Sequence, residues 1–299
     1  MSLEPDLLIE RRRLKRQLGL WRGALILGAL AVAATWAGTG RGLVLSQHVA
    51  RLPLTGFISD EPRLLREIER AGRDASLRAV IVSIDSPGGS VAGGEGLHAA
   101  IARLRAAGKP VVAVMAGTAA SAGYMVALPA ERIFAREATL TGSIGVILQS
   151  FEASELMARL GLRAEALASG PLKDQPSPFR PLTEEGRAAL RTVIEDMQSQ
   201  FVAKVMQGRN MEEAPVRALA DGRVLTGRQA LAAGLVDAIG GEPEARAWLA
   251  EAHNVSVDLP VQELDGRSPT ERVFGRAATG LWQAGLRALR AEGFGAVPQ

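Results

Sequence analysis

The feature that most constrains the fold of this chain is an alternation of short β-branched runs with amphipathic segments. The runs LPLTGF (52–57), AVIVSI (79–84) and VVAVMA (111–116) suit parallel strands that are covered on both faces. Between them, residues 62–71 and 92–106 carry apolar side chains at helical spacing. This alternation predicts an α/β fold built from right-handed crossover units.

A proline-rich segment follows these units. Residues 169–183 (SGPLKDQPSPFRPLT) contain four prolines, which predicts a stiff extended loop rather than a helix. Thr183 is then placed to cap a long helix that runs to about Gln207. Glu184 and Glu185 suit the first turn of that helix.

The N-terminal region has the pattern of a membrane anchor. Residues 23–40 (GALILGALAVAATWAGTG) are uncharged and mostly apolar, and a basic leader precedes them. Trp21 and Trp36 could lie at the two interfaces of a bilayer. The basic leader favours the cytoplasmic side, so everything after residue 40 is expected to be extracytoplasmic. A cleaved signal peptide and a buried soluble helix are the alternatives, and the long charged leader favours the uncleaved anchor.

Composition excludes several chemistries. The chain has no cysteine, which rules out a disulfide framework, a thiolate metal site and a cysteine nucleophile. Its net charge is +3, but the basic residues are spread along the chain, so no nucleic-acid partner is expected. Neither a metal nor a cofactor is predicted. Arginine is strongly preferred over lysine, and the few lysines are Lys15, Lys109, Lys173 and Lys204.

Two motifs of small residues follow predicted strands. In DSPGGS (85–90), Pro87 predicts a turn, and Gly88 and its neighbouring glycine allow backbone amides to face an open site that could stabilise an oxyanion or a phosphate. Such a segment between strand and helix is more often an ordinary turn. GTAASAGYM (117–125) puts Ser121 at the start of a helix, where it could act as a nucleophile. The amides of Ala122 and Gly88 could then bind the carbonyl oxygen as it becomes negative. A close contact between helix and sheet explains the serine motif equally well.

A nucleophilic serine also needs a base. None of His48, His98 and His253 belongs to a recognisable motif, so a Ser-His-Asp triad has no obvious members. Lys173, in the proline-rich loop, is the remaining candidate. A lysine can act as a base only if an apolar pocket lowers its pKa, and most lysines are simply solvated.

Together these segments resemble the signal peptide peptidase A (SppA) family in its short bacterial form. DSPGG, the serine motif, TGSIGV (141–146), G-x-x-K-D and GRVLTGRQALAAGLVDAIGG (222–241) occur here in the order of that family. Ser121 and Lys173 are 52 residues apart, the separation found in the family. The resemblance covers about residues 50–250 and the N-terminal anchor.

The resemblance implies a Clp protease/crotonase-like fold with an N-terminal transmembrane helix. It implies Ser121 as nucleophile, Lys173 as general base and backbone amides near Gly88 as the oxyanion hole. It also suggests that Ser143 positions the lysine ammonium. Ala122 stands where the family often has glycine, which is expected to narrow the substrate groove and leave the amide available.

The predicted layout has four parts: a cytoplasmic leader (1–22), a transmembrane anchor (23–40), a protease domain (50–255) and an amphipathic segment (256–299). The last part could lie on a membrane, pack on a neighbouring subunit or form an ordinary terminal helix. The resemblance implies a homo-oligomer at the bacterial inner membrane that cuts signal-peptide remnants or other peptides on its outer side.

Two other functions compete with a protease. A crotonase-type acyl-CoA enzyme would hold an enolate oxygen with similar strand-to-helix amides. It would also need a pair of carboxylates in the pocket, and Asp85 is the only one near the motifs. A membrane scaffold that kept the fold without catalysis is the second alternative.

Overall fold

The computed structural model describes Gly19 and residues 21–23, 25–28 and 47–264. The chain divides into two units, Met1–Gln47 and His48–Gln299. In the first unit all described positions except Gln47 are helical. Most of the predicted anchor and of the C-terminal amphipathic segment lies outside the described residues. Within the described part of the chain, no helix is both long and apolar enough to cross a membrane.

The second unit is built on one mixed sheet of eight strands. The strands are β1 (His48–Ile58), β2 (Leu77–Gly89), β3 (Val111–Ala120), β4 (Arg132–Ala135), β5 (Leu140–Gly142), β6 (Val224–Thr226), β7 (Ala238–Ile239) and β8 (Val261–Glu263). Their order is β6-β5-β3-β2-β1-β8, and β4 joins β3 to β7. All pairs are parallel except β5 with β6. The predicted α/β class with a parallel sheet is therefore confirmed.

Eight helices in the described part of this unit surround the sheet. They are α1 (Pro62–Gly72), α2 (Val91–Ala106), α3 (Ala122–Ala127), α4 (Ser154–Arg159), α5 (Glu184–Arg209), α6 (Glu213–Leu219), α7 (Gly227–Ala232) and α8 (Glu242–His253). α5 begins as predicted, because the Thr183 side chain accepts a hydrogen bond from the Gly186 N–H. The proline-rich segment 169–183 contains no helix, also as predicted.

Both faces of the central strands are covered. On one face, residues such as Leu54, Val82 and Ile84 pack against α1, α2 and α3. On the other face, Ile81 and Val114 pack with Leu249 of α8. Burial on both faces explains why these strands read as continuous apolar runs in the sequence.

One local expectation was wrong. The motif 85–90 was expected to form a turn after the strand 79–84, but β2 continues through the motif to Gly89, and Ser90 caps α2. The pairing register shifts between Thr55 and Phe57, where β2 carries one residue more than β1. A bulge of this kind lets an irregular segment stay within the sheet.

Candidate active site

Three strand ends bring predicted site residues to one edge of the sheet. Gly88 lies near the end of β2, Ser121 directly follows β3, and Ser143 directly follows β5. Because β2 and β5 both run parallel to β3, these strand ends share one side, the carboxyl edge of the sheet. In open α/β sheets this edge is where ligands usually bind.

Ser121 occupies a strained turn between β3 and α3. Its φ and ψ are 52° and −120°, a conformation that residues other than glycine rarely adopt. Its N–H donates to the Gly142 carbonyl and its own carbonyl accepts from the Met125 N–H, both at 2.9 Å. The Ser121 hydroxyl forms no hydrogen bond with a described residue. The turn therefore fixes the backbone and leaves the hydroxyl available for reaction.

Gly88 lies against Ser121 so closely that a larger residue would not fit. Its φ is +124°, and a Cβ placed there would lie 2.9 Å from the Ser121 Cβ and 3.3 Å from the Ser121 Oγ. Both the backbone conformation and the contact therefore require glycine.

The two amides expected to bind an oxyanion differ in availability. The Gly88 N–H donates to Ser86 Oγ at 3.1 Å, and Ser86 Oγ also lies 3.1 Å from the Gly88 carbonyl. This amide is therefore engaged within its own segment. The Ala122 N–H forms no hydrogen bond with a described residue. Ala122 thus offers the freer donor next to the serine.

Ser143 is held by a segment that is distant in sequence. Its φ is 49°, and its N–H donates to the Arg223 carbonyl at 2.8 Å. Arg223 in turn donates from its backbone and its side chain to Asp221. This pairing lowers the pKa of Asp221 to about 2. Since Gly142 accepts from the Ser121 N–H, Ser121 and Ser143 belong to one connected turn system.

Tyr124 anchors the helix that begins after Ser121. The side chain is fully buried, and its hydroxyl donates to the Leu235 carbonyl at 2.9 Å. Burial raises the pKa of Tyr124 well above its ordinary value. This hydroxyl therefore acts as a neutral donor that fixes α3 to the turn before β7.

Lys173 has different surroundings from Ser121. It is exposed, and its N–H donates to the Gly170 carbonyl at 3.2 Å. Its amine forms no hydrogen bond or ion pair with any described residue, and the neighbouring Asp174 pairs with Arg180 instead. The described residues of one chain therefore do not enclose the lysine in the apolar pocket that the sequence argument required.

None of the histidines hydrogen-bonds to Ser121. His48 begins β1, and His253 pairs with Glu131 at 3.0 Å next to β4, so both lie at the opposite edge of the sheet. His98 lines a cavity of about 420 Å³ between α2 and α5. Burial, and then the charge of Lys204, lowers the pKa of His98 to about 4. The described residues also contain no cluster of carboxylates and histidines suited to a metal ion.

Sequence reasoning missed three residues that shape this site. Ser86 lies inside the glycine motif and engages the Gly88 amide, Tyr124 lies inside the serine motif, and Arg223 lies in the motif 222–241. All three are in segments that had been singled out. Their contacts were not predictable, because each depends on a partner elsewhere in the fold or on a local backbone turn.

Comparisons with known proteins give a consistent result. The sequence model of peptidase family S49 matches residues 103–256, which include Ser121, Ser143 and Lys173. A candidate protease of Synechocystis sp. is 37% identical over 71% of this chain and 76% of its own length. A candidate signal peptide peptidase SppA of Enterococcus faecium is 32% identical over 67% of this chain and 62% of its own length. Protease 4 of Salmonella typhi is 37% identical over 62% of this chain but only 30% of its own length.

Proposed function

Because the chain belongs to peptidase family S49 and is therefore a serine peptidase, we propose that it cuts peptide bonds with Ser121 as nucleophile and Lys173 as general base. Ser121 Oγ attacks the scissile carbonyl and passes its proton to the neutral Lys173 amine. The lysine then gives this proton to the leaving amine, and water releases the acyl group from the serine. The Ala122 amide stabilises the negative oxygen of each tetrahedral intermediate.

The conformation of Ser121 is the observation that carries this proposal. A serine at φ 52° that follows a buried strand, with a free hydroxyl and glycine pressed against it, has the features of a preorganised nucleophile. Packing alone would not require a strained serine at this position, since glycine would avoid the strain at no cost in volume. Gly88 also remains a proposed part of the oxyanion hole, which requires its amide to leave Ser86 Oγ when substrate binds.

The general base must be neutral, so the working enzyme has to enclose Lys173. We propose that a second copy of this chain provides the enclosure. The segment around the lysine exposes large apolar side chains, of which Ile147, Phe151 and Leu167 are 78%, 75% and 96% exposed. Such a surface is typical of a subunit interface. In the closed assembly Ser143 would accept a hydrogen bond from the lysine and orient it.

The N-terminal pattern supports a membrane-anchored form of this peptidase. We propose that residues 23–40 span the bacterial inner membrane once and that the domain of residues 50–255, of the Clp protease/crotonase-like class, lies outside the cytoplasm. Signal-peptide remnants and other membrane-associated peptides are the proposed substrates. The apolar, basic segment at the C-terminus would lie on the membrane or on a neighbouring subunit.

A fluorophosphonate probe tests the nucleophile directly. The wild-type protein should become labelled at Ser121 and should hydrolyse a fluorogenic peptide, whereas Ser121→Ala should lose both properties. Ser199→Ala is the control, because Ser199 is exposed on α5. A folded Ser121→Ala variant that keeps its labelling and hydrolysis would exclude this serine. Wild-type protein that is never labelled and never hydrolyses peptides would favour a scaffold.

A further inference from the structure

The outer side of β1 is only partly paired. β2 pairs with β1 from His48 to Ile58. On the other side, β8 pairs only with Val49–Arg51. Among the described residues, no strand continues this pairing beyond Arg51 towards the carboxyl edge of the sheet. β1 therefore offers an open strand edge, residues 53–57, next to the candidate active site.

The alternation of backbone groups identifies which of them face this edge. Even-numbered residues of β1 face β2, since the His48 N–H donates to Ser76 and the Ile58 carbonyl accepts from Ser90. Odd-numbered residues face β8, since the Val49 N–H donates to Pro260 and the Arg51 carbonyl accepts from Leu264.

The same alternation directs the backbone groups of Thr55 and Phe57, and the carbonyl of Pro53, towards the open edge. Outside the pairing of β1 with β2, these groups form no backbone hydrogen bond with a described residue. Pro53 has no N–H to donate, and β-sheets tolerate proline mainly on edge strands.

A groove runs along the open edge. Its volume is about 290 Å³, and Leu54, Leu64 and Leu97 contribute apolar surface to it. Phe57 also lines the groove and is 70% exposed. Sites that bind a peptide as an added strand need two components, unpaired backbone groups on a strand edge and a groove beside them. The backbone hydrogen bonds give affinity, and the groove accepts every second side chain of the peptide.

We propose that this edge is an exosite that binds an extended, apolar segment of the substrate polypeptide as an added strand. The inference rests on the proposed peptidase function and concerns a part of the substrate that is remote from the cut bond. Continuity with the active site favours substrate as the occupant, because Phe57 pairs with Gly88 and Gly88 touches Ser121. An added strand would lie one strand spacing outside β1, so three spacings, or about 14 Å, separate it from β3 and the nucleophile.

These dimensions set the length of substrate that can use the exosite. Pairing with residues 53–57 takes about five residues, and crossing about 14 Å takes about four more at 3.3–3.6 Å per residue. Peptides shorter than roughly nine residues on one side of the cut bond cannot reach both places. The exosite therefore selects long polypeptides and does not affect short ones.

Thr55→Pro tests this selection. Proline removes the outward N–H of Thr55, which takes no part in pairing with β2, and Thr55→Val is the matched control that keeps the N–H. For a peptide of about 20 apolar residues, Thr55→Pro should raise KM roughly 3- to 10-fold, as expected for one lost hydrogen bond. The ratio of this KM to that for a tetrapeptide substrate should rise by the same factor, and much less in Thr55→Val.

A second measurement uses the unaltered enzyme, in case Thr55→Pro does not fold. Long peptides with N-methyl groups on alternate residues far from the cut bond cannot form the added strand. Their KM should exceed that of the unmethylated peptide several-fold, with kcat unchanged.

Three outcomes would overturn the exosite. They are an equal rise of KM for long and short substrates, no change of KM with either approach, and a changed sedimentation coefficient of Thr55→Pro without a change in KM. The second outcome is expected if the chain's own continuation after Leu264 occupies the edge, and the third if a second copy does. Failure of the peptidase proposal can be distinguished from failure of the exosite, because the unaltered enzyme would then not cut the tetrapeptide.

Discussion

The turn that carries Ser121 and the segment that carries Lys173 are built in opposite ways. Residues 117–127, the nucleophile region, are mostly buried and are tied by backbone bonds to Gly142 and by Tyr124 to Leu235. Residues 144–182, the lysine segment, contain one short helix and few buried side chains. This segment leaves large apolar residues exposed: Ile147, Leu148, Phe151, Leu156, Leu160, Leu162, Leu167, Leu172 and Phe179.

The described residues of one chain therefore form the nucleophile of the proposed dyad but not the pocket of its base. The geometry of the nucleophile depends on contacts within the chain, and its strain is maintained because the surroundings fix it. The acidity of the lysine depends on exclusion of water, which the described residues of one chain do not provide. On the proposed mechanism, folding and activation are separate steps, and assembly is the activating one.

Replacing the lysine should have the largest effect. Lys173→Arg keeps the charge but removes a group that can become neutral, so kcat/KM for a fluorogenic peptide should fall about a thousandfold or more. The double variant Ser121→Ala/Lys173→Arg should be scarcely worse than Ser121→Ala, because nucleophile and base act as a unit. Near-normal hydrolysis by folded Lys173→Arg would remove the lysine from the mechanism.

A methyl group next to the nucleophile should have the second largest effect. Gly88→Ala would place a Cβ 2.9 Å from the Ser121 Cβ, and activity should fall about 100-fold through displacement of the serine. Gly108→Ala is the matched control, because Gly108 also has a positive φ, +79°, but open space around it. Gly108→Ala should lose about 1 kcal/mol of stability from strain, and Gly88→Ala more because of the added contact, measured by urea unfolding. Similar activities would show that the contact with Ser121 is unimportant.

Polar substitutions in the lysine segment should separate assembly from folding. Phe151→Ser and Leu167→Ser should weaken association in analytical ultracentrifugation and lower activity about tenfold at dilute enzyme, because mass action then favours dissociated chains. Thermal unfolding should hardly change, since both side chains are exposed. Val193→Ser, at an exposed position on α5, should alter neither property. Unchanged sedimentation and activity in the first two variants would contradict an interface at this segment.

A smaller effect is expected inside the nucleophile region. Tyr124→Phe removes the hydroxyl that donates to Leu235 and should cost about 1–3 kcal/mol of stability, since a buried carbonyl loses its donor. At temperatures well below unfolding, kcat should fall a few-fold while KM stays constant, because α3 and Ser121 shift slightly. An unchanged kcat would mean that the tyrosine stabilises the fold without positioning the serine.

The mildest test concerns pH and a group remote from both regions. Burial lowers the pKa of His98 from 6.5 to about 4, so between these values the unfolded chain binds a proton that the folded chain does not. The free energy of unfolding should therefore be highest above pH 6.5 and decrease as the pH falls towards 4. His98→Gln should flatten this dependence in urea unfolding curves. An identical slope in both proteins would assign it to other groups.

Much of this molecule was predictable from local sequence. The β-branched runs predicted three strands of the central sheet, and Thr183 marked the start of α5 correctly, because strand burial and helix capping leave local signals. The positions of Ser121 and Gly88 at one edge followed from the strand pattern. The extension of β2 to Gly89 was missed, since a proline followed by two glycines normally indicates a turn.

Contacts between distant segments were not predictable in the same way. The bond from Ser143 to Arg223 joins residues 80 positions apart, and no local pattern encodes it. The exposure of Lys173 also departs from the expected pocket, because burial of a loop depends on what packs over it. The roles of Ser121, Lys173, Gly88, Ala122 and Ser143 stay predictions that the experiments above address.

The antiparallel pairing of β5 with β6 has a consequence for the order of events during biogenesis. The Gly142 carbonyl in β5 accepts a hydrogen bond from the Ser121 N–H. The antiparallel partner of β5 is β6, residues 224–226, about 100 positions after the serine. A chain emerging from the ribosome therefore lacks the strand that completes β5 until residue 226 has been made. We expect partly synthesised chains to be inactive, so that proteolysis can begin only when the domain is complete.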